Sequence, residues 1–527
     1  MSFGSLVLGA QDKPAAPGPP PPQVAEAARK YEAGDLKGAI ALLEPLRKKP
    51  GAHPSALALL GTLYLETGRP KEALALLGPI ADSGAAGPVI LHNAGRAALA
   101  LGQKEKAEAY LQAAAAKAPA SPASRDLGLL LGSQGRVAES YQRLRPWVEA
   151  HPEDQATRLS AAYDALELNR PREAEELLAG LPEDEPRVRL LKGRVQLLKS
   201  EPRQTVATLE PLLKAGASPI EREVRRYLAE AHLALGESAA AVTLLQGKTG
   251  DDPSLALLLG RAQFQAGNPE QAAATLAPVE RELEKTNDDL ATAVALEYGR
   301  ALVALAKWPE AVASLSRATQ LDPQNVQAWQ VLGQAQLGAG QREQATHSIE
   351  RFRQLQSAEK SVSEQVKESE AGAADATGRN LGRATALLGQ GKADEALAII
   401  RQEVALAPAN DPRPRAAEVT ALLAMKRNDE ALKTAEAALA AAPGNPDYLY
   451  LRGAVRMAGQ QLLEAEKDFR QVLQIRPDHL AALNDLAVLD MTLGRTAEAR
   501  ELLQKVLALR PGDPRATANL KSLDEKK

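Results

Sequence analysis

GTLYLETGRPKEA occupies residues 61–73, and GRAALALGQKEKA occupies residues 95–107. Each opens on glycine, places a second glycine seven residues later and closes on alanine five residues after that. GLLLGSQGRVAES, residues 128–140, repeats the spacing with Ser140 in the last place. Outward from here the last position recurs at Ala39, Ala73, Ala107, Ser140, Ala174, Thr205, Ala241, Ala272, Ala311, Ala345, Ala396, Ala431, Ala465 and Ala499. Most steps are 33 to 36 residues; the exceptions are two of 31, one of 39 and one of 51. Self-similarity at such a period marks a stack of supersecondary units instead of one globular core.

Composition agrees. A chain of 527 residues is too long for one ordinary core, and Ala and Leu, strong helix formers, recur while aromatics make up 3%. The fold class is all-α. Net charge is -3 with 25% charged residues of mixed sign, which provides no electrostatic footprint for nucleic acid. No run approaches the roughly 18 apolar residues of a membrane span. The absence of cysteine removes disulfides, thiolate nucleophiles and cysteine-ligated zinc.

The recurring residues have a packing reason. The first small position is Gly or Ala at Ala27, Gly61, Gly95, Gly128, Ala162, Gly193, Ala229, Gly260, Gly299, Gly333, Ala384, Gly453 and Ala487, with Val419 the exception. Two facing small residues let two helices approach to the short end of the ~8–10 Å range. The middle position is Gly at 34, 68, 102, 135, 236, 267, 340, 391 and 494, and Asn at 169. A left-handed residue ends a helix there, and glycine adopts it without a Cβ clash. Pro70, Pro171, Pro202 and Pro269 share one offset after the turn, where their fixed φ starts the second helix. Trp147, Trp308 and Trp329 all fall on packing positions. By pattern, the weakest units are the sixth, with Ser200 and Thr205, and the twelfth, with Val419.

These residues resemble the tetratricopeptide repeat, a helix-turn-helix unit of 34 residues. Trp329, Leu332, Gly333, Gly340, Ala345 and Ile349 match its pattern in the tenth unit, as do Tyr298, Gly299, Leu302, Ala311, Leu315, Ala318 and Pro323 in the ninth. Gly453 and Ala465 hold the same places in the thirteenth. About fourteen units run from Val24 to Pro511. The resemblance implies a right-handed superhelical solenoid of antiparallel helix pairs, working as a non-enzymatic scaffold of bacterial type that binds a partner protein on its concave face.

Residues 24–356 hold units one to ten, and 379–511 hold units eleven to fourteen. Residues 357–378 are expected to be a charged helical spacer: the second helix of unit ten runs on, with Ile349, Phe352, Leu355, Val362 and Val366 as a partial apolar stripe, to a loop near Gly372 and Gly378. Residues 512–527 suit a capping helix with Ala518, Leu520 and Leu523 on one side. Residues 1–23 are an apolar leader and a Pro-rich linker. They read as the back half of a secretory signal, so export to the periplasm is favoured over a cytoplasmic location. A second reading follows from that leader and the family: a periplasmic or outer-membrane-associated assembly subunit of a secretion or polysaccharide export system.

The units leave no segment for a catalytic domain. His53, His92, His151, His232, His347 and His479 are scattered, so no metal or other cofactor is expected. Gly247-Lys248-Thr249 imitates the end of a phosphate loop, but the upstream glycine is replaced by Val242. Ser357 and Lys360 match a serine–lysine spacing inside the spacer. An enzyme hidden in the solenoid would need clustered perturbed groups on its concave face, where the sequence offers arginines. By the resemblance, the residue after the first small position faces inward; here it is Arg96, Arg194, Arg261 and Arg300, and Arg125 and Arg226 take another inward site. Such arginines either fork onto carboxylates of a partner or pair with acids on the next repeat. The Lys and Asn of the family's carboxylate clamp are not matched, and Leu65, Leu99, Leu197 and Leu337 replace inner tyrosines. The expected guest is a helix, an apolar segment or an acidic segment of a protein.

Overall fold

The computed structural model describes the backbone of residues 20–47, 52–118, 120–214, 219–372, 375–407 and 411–525. The leader through Pro19 and most of the Pro-rich run lie outside these residues. Contacts divide the chain into two compact units: Met1–Glu167 with Glu176–Leu181, and Leu168–Glu175 with Pro182–Lys527.

Among the described residues every regular element is an α-helix. In chain order they are α1 (Pro22–Glu32), α2 (Leu36–Arg47), α3 (Pro54–Glu66), α4 (Pro70–Asp82), α5 (Pro88–Ala100), α6 (Lys104–Lys117), α7 (Pro122–Ser133), α8 (Val137–Ala150), α9 (Gln155–Glu167) and α10 (Pro171–Leu178). Then come α11 (Pro186–Leu198), α12 (Pro202–Lys214), α13 (Glu221–Ala234), α14 (Ser238–Leu245), α15 (Pro253–Gln265), α16 (Pro269–Glu282), α17 (Asp289–Ala304), α18 (Trp308–Leu321), α19 (Val326–Gly338) and α20 (Arg342–Gly372). The last are α21 (Ala376–Gly389), α22 (Ala393–Leu406), α23 (Pro412–Ala424), α24 (Asn428–Ala441), α25 (Pro446–Ala458), α26 (Leu462–Ile475), α27 (Leu480–Thr492), α28 (Thr496–Leu509) and α29 (Pro514–Glu525). Odd helices open the expected units and even helices close them; α29 follows the fourteenth pair and packs on α27 and α28.

The turn inside each pair is uniform. Residues 34, 68, 102, 135, 236, 267, 340, 391 and 494 are glycines at positive φ, and Asn169, Ser200, Ala306, Lys426 and Gln460 take the same left-handed backbone at φ 54 to 62°. At Gly68 the reason is visible: the next N–H, from Arg69, reaches back to the Tyr64 carbonyl at 2.7 Å, closing the helix end. The four turns without Gly or Asn bear the steric cost of that geometry.

The facing column is buried throughout: every alanine of it is fully buried, Ser140 is 1% exposed and Thr205 0%. Thr205 is accommodated because its hydroxyl donates to the Glu201 carbonyl at 3.2 Å. Ser140 donates to the Asp164 carboxylate at 2.5 Å. In the opposite column, a Cβ on Gly299 would sit 2.5 Å from Leu315 Cγ, so the glycine there permits the close helix approach. Leu or another large residue stands sixteen positions after this small residue, as at Leu77, Leu111, Leu276, Leu315, Ile349 and Phe469. Unit twelve inverts the pair. Val419 is followed sixteen later by Ala435, both in one buried cluster, so the sizes are exchanged and the volume is kept. The departures at Thr205 and Val419 are therefore locally compensated.

The irregular steps also have structural causes. The two steps of 31 residues follow the two shortest second helices, α10 and α14, of 8 residues each. The longest step follows α20, a single helix of 31 residues. Leu355 on it is buried; the side chains of Val362 and Val366 lie outside the described residues. The following helix, α21, begins at Ala376, where Asp375 caps it by accepting from the Gly378 N–H at 2.7 Å. Gly378 thus lies in a first helical turn, where the sequence suggests a loop. In α29 it is Ala516 that is buried with Leu523, while Ala518 is exposed. Five second helices run through an internal proline, at Pro45, Pro79, Pro146, Pro211 and Pro278, always six residues past the facing small position.

Within each unit the first helices form one layer. In the first unit α1 touches α3, α3 touches α5, α5 touches α7 and α7 touches α9. In the second, α11, α13, α15, α17 and α19 touch in series, as do α21, α23, α25, α27 and α29. Neighbouring second helices make no comparable contact among the described residues. The first-helix layer is therefore the more crowded, inner one. One long-range contact also lies within the second unit. Arg170 Nη2 donates to Glu403 Oε2 at 2.6 Å across 233 positions, and Asn380 donates to the other oxygen at 2.7 Å. All three are buried.

Candidate interaction surface

The inner layer exposes the residue after each first small position, because that residue points away from the partner helix. In the first unit this column includes Arg96, Leu129 and Tyr163. Leu129 is 40% and Tyr163 49% exposed, and Leu99 nearby on α5 is 38% exposed. Arg96 is half-buried and makes no ion pair or hydrogen bond among the described residues. Arg125 bonds the neighbouring Asp126 at 2.8 and 2.9 Å and lies 5.2 Å over the Trp147 ring. Asp126 also takes His92 of the preceding repeat at 2.8 Å, so this part of the surface is tied into the stack.

In the second unit the same column reads Arg194, Glu230, Arg261 and Arg300, on α11, α13, α15 and α17. Arg261 Nε donates to Glu297 Oε1 at 2.9 Å, on the first helix of the next repeat. Arg300 Nη1 reaches Glu297 Oε2 at 3.5 Å. Arg226 Nη2 donates to the Tyr227 hydroxyl at 2.7 Å. The guanidinium carbons of Arg226 and Arg194 lie 4.7 and 5.9 Å from the Tyr227 ring centre, and that of Arg300 lies 5.4 Å from Phe264. Burial pushes the Glu230 carboxyl above its ordinary value, although Arg226, Arg194 and Arg261 oppose the shift.

One of the two sequence alternatives, pairing with an acid on the next repeat, is met at Arg261. Arg125 is paired beside itself, and Arg96 has no such bond. Four of the six, Arg194, Arg226, Arg261 and Arg300, come together on successive helices. Sequence reasoning missed Glu230, Glu297, Tyr227 and Phe264. Glu230 was legible, since it occupies the arginine column; Glu297 and the rings become relevant only through the packing of adjacent helices. Of the inner leucines, Leu337 is 53% exposed, while Leu65 and Leu197 are half-buried.

Models of the tetratricopeptide repeat match residues 30–91 and 456–522, residues 92–154, 296–361 and 416–479, and residues 223–246, 253–278 and 381–402. The chain belongs to the tetratricopeptide-repeat family. Its helix pairs, left-handed turns and small-residue columns are what that repeat demands. No curated protein sequence matches this tetratricopeptide-repeat chain. Among solved structures it is similar to a chain of the APC/C hetero-tetramer Cut9–Hcn1, at 14% identity and TM-score 0.30, covering 94% of this chain and 95% of that one. It is also similar to a chain in the structure of Naa15/Naa10 bound to HypK-THB, at 14% identity and TM-score 0.31, covering 96% of each.

No group of three or more His, Asp or Glu side chains is placed to hold a metal ion among the described residues. No described helix is long and apolar enough to cross a membrane.

Proposed function

We propose that this tetratricopeptide-repeat chain is a non-enzymatic scaffold that holds a segment of a partner protein along its inner layer of first helices. The carrying observation is the exposure of large side chains on that layer: Leu99, Leu129 and Tyr163 are 38%, 40% and 49% exposed on α5, α7 and α9. Large apolar groups left on an inner layer are a surface to be covered. Repeat arrays use such continuous faces for binding, because each repeat contributes a few side chains to one extended surface. In the first unit Arg96 and Arg125 lie beside the apolar side chains; in the second, described by itself, Arg194, Arg226, Arg261 and Arg300 stand on the first-helix layer.

The test is recovery of a partner from extract of the source cells. Leu129→Asp with Tyr163→Asp should abolish recovery of any protein that wild type enriches, while an outer-layer control such as Leu463→Asp should not. Equal recovery by the inner and outer variants would refute the reading.

A further inference from the structure

We propose that the face built by α11, α13, α15 and α17 binds an acidic peptide segment, whose carboxylates are taken by Arg226, Arg261 and Arg300. This rests on the scaffold reading and adds the chemistry of the guest for one stretch of it.

Four guanidiniums meet on successive first helices. Arg226 lies over the Tyr227 ring and Arg300 over Phe264, contacts that hold a guanidinium in place while the nitrogens not bonded to Tyr227 or Glu297 remain to donate to a carboxylate. The acids already present do not saturate Arg226, Arg261 and Arg300. Glu297 is 3% exposed and is shared, with one oxygen toward Arg261 and the other toward Arg300. Arg261 spends only Nε on it, so its two terminal nitrogens remain for a second acceptor. Arg226 Nε is buried without an acceptor. Burial disfavours the charged form of Glu230, and Glu223, in the first turn of α13, turns one oxygen inward without a hydrogen bond. The side chains of Arg261 and Arg300 are 36% and 37% exposed, within reach of a docked chain.

The face is also unsuited to an apolar guest. Between Leu198 on α11 and Leu337 on α19 there is no exposed large apolar side chain among the described residues. Bidentate arginine–carboxylate bonds supply both attraction and orientation.

The experiment uses the full chain and two amide-capped fluorescent peptides, one with glutamate at every second position and its glutamine counterpart. The glutamate peptide should bind at least about tenfold more tightly at low salt, and its affinity should fall as salt rises. Arg261→Gln with Arg300→Gln should lower its affinity about tenfold while the helical circular dichroism is kept. Equal binding of the two peptides, which needs no variant, overturns the proposal. So does an oligouridylate that binds as tightly through the same arginines, since the site would then take any polyanion. If the glutamate peptide fails while Leu129→Asp with Tyr163→Asp still abolishes partner recovery, the acidic-guest proposal falls and the scaffold reading stands.

Discussion

Replacing Ala435 by leucine in α24 places three more carbons against Val419, which is 2% exposed and lies in the same buried cluster. Overpacking of that kind costs about 1–3 kcal/mol. The reciprocal change, Val419→Ala, removes two buried methyl groups and leaves a small void, for another ~1–3 kcal/mol at about 0.5–1.5 kcal/mol per group. The double variant, Val419→Ala with Ala435→Leu, recreates the pairing of unit five, where Ala162 is 0% and Leu178 1% exposed. Its cost should fall below ~1 kcal/mol, as for volume-conserving exchanges. A coupling of at least about 1 kcal/mol is therefore expected, and about 3 kcal/mol at the middle of these ranges. Amide hydrogen exchange of α23 and α24 in the full chain measures it locally, which matters because repeat arrays need not unfold as one unit. Additive single effects, within ~0.5 kcal/mol, would show that the two side chains do not oppose each other and would refute the size-exchange argument.

Other outcomes follow from the same geometry. Burial pushes the Asp164 carboxyl up to about 6. The folded state therefore holds a proton that the unfolded state releases near pH ~4, so this group's contribution to stability falls as pH rises from about 4 to about 6. Asp164→Asn should remove that slope and gain about 2–3 kcal/mol at pH 7, read as the difference between variant and wild-type urea midpoints across pH; a constant difference would count against it. Arg170→Met leaves Glu403 buried without its cation, at a cost of about 3–5 kcal/mol, and should speed amide exchange in α22; unchanged exchange would mean that the pair is not closed in solution. Ala306→Gly should stabilise its turn by about 1 kcal/mol, since alanine there sits at φ 54°, whereas the same change at Ala304, the last residue of α17, should give no such gain.

Much of the fold could be read from the chain because repeat contacts are local. A 34-residue unit must turn once inside itself and pack against the next, so the requirements recur at fixed offsets. Gly68, Pro70 and Ala73 are enough to place a helix end, a helix start and a contact. Legibility failed where the same geometry is met by other residues. Ser200, Ala306, Lys426 and Gln460 adopt the left-handed turn without glycine, because closing the helix end outweighs their steric cost. Five internal prolines lie inside second helices, where proline by itself signals an end, because packing holds the helix continuous around one missing donor.

The candidate site divides in the same way. Arg194, Arg226, Arg261 and Arg300 were legible as residues in an inward register, since register is a property of the period. Their meaning was not. Whether an inward arginine is spent on a neighbour or open to a guest depends on which acids and rings the adjacent helices bring beside it. Asp126 takes Arg125 from one position away, and Glu297 takes Arg261 from 36 positions away. By itself the sequence determined the helix pairs, the turn column, the close-contact columns and the identity of the inward residues, because each depends on spacing within about one repeat. Only the tertiary structure decided the exchange of Val419 with Ala435, the burial of Arg170 against Glu403 and the gathering of four arginines around Tyr227, Phe264 and Glu297. Those depend on helices packed side by side, where distance along the chain no longer measures distance in space.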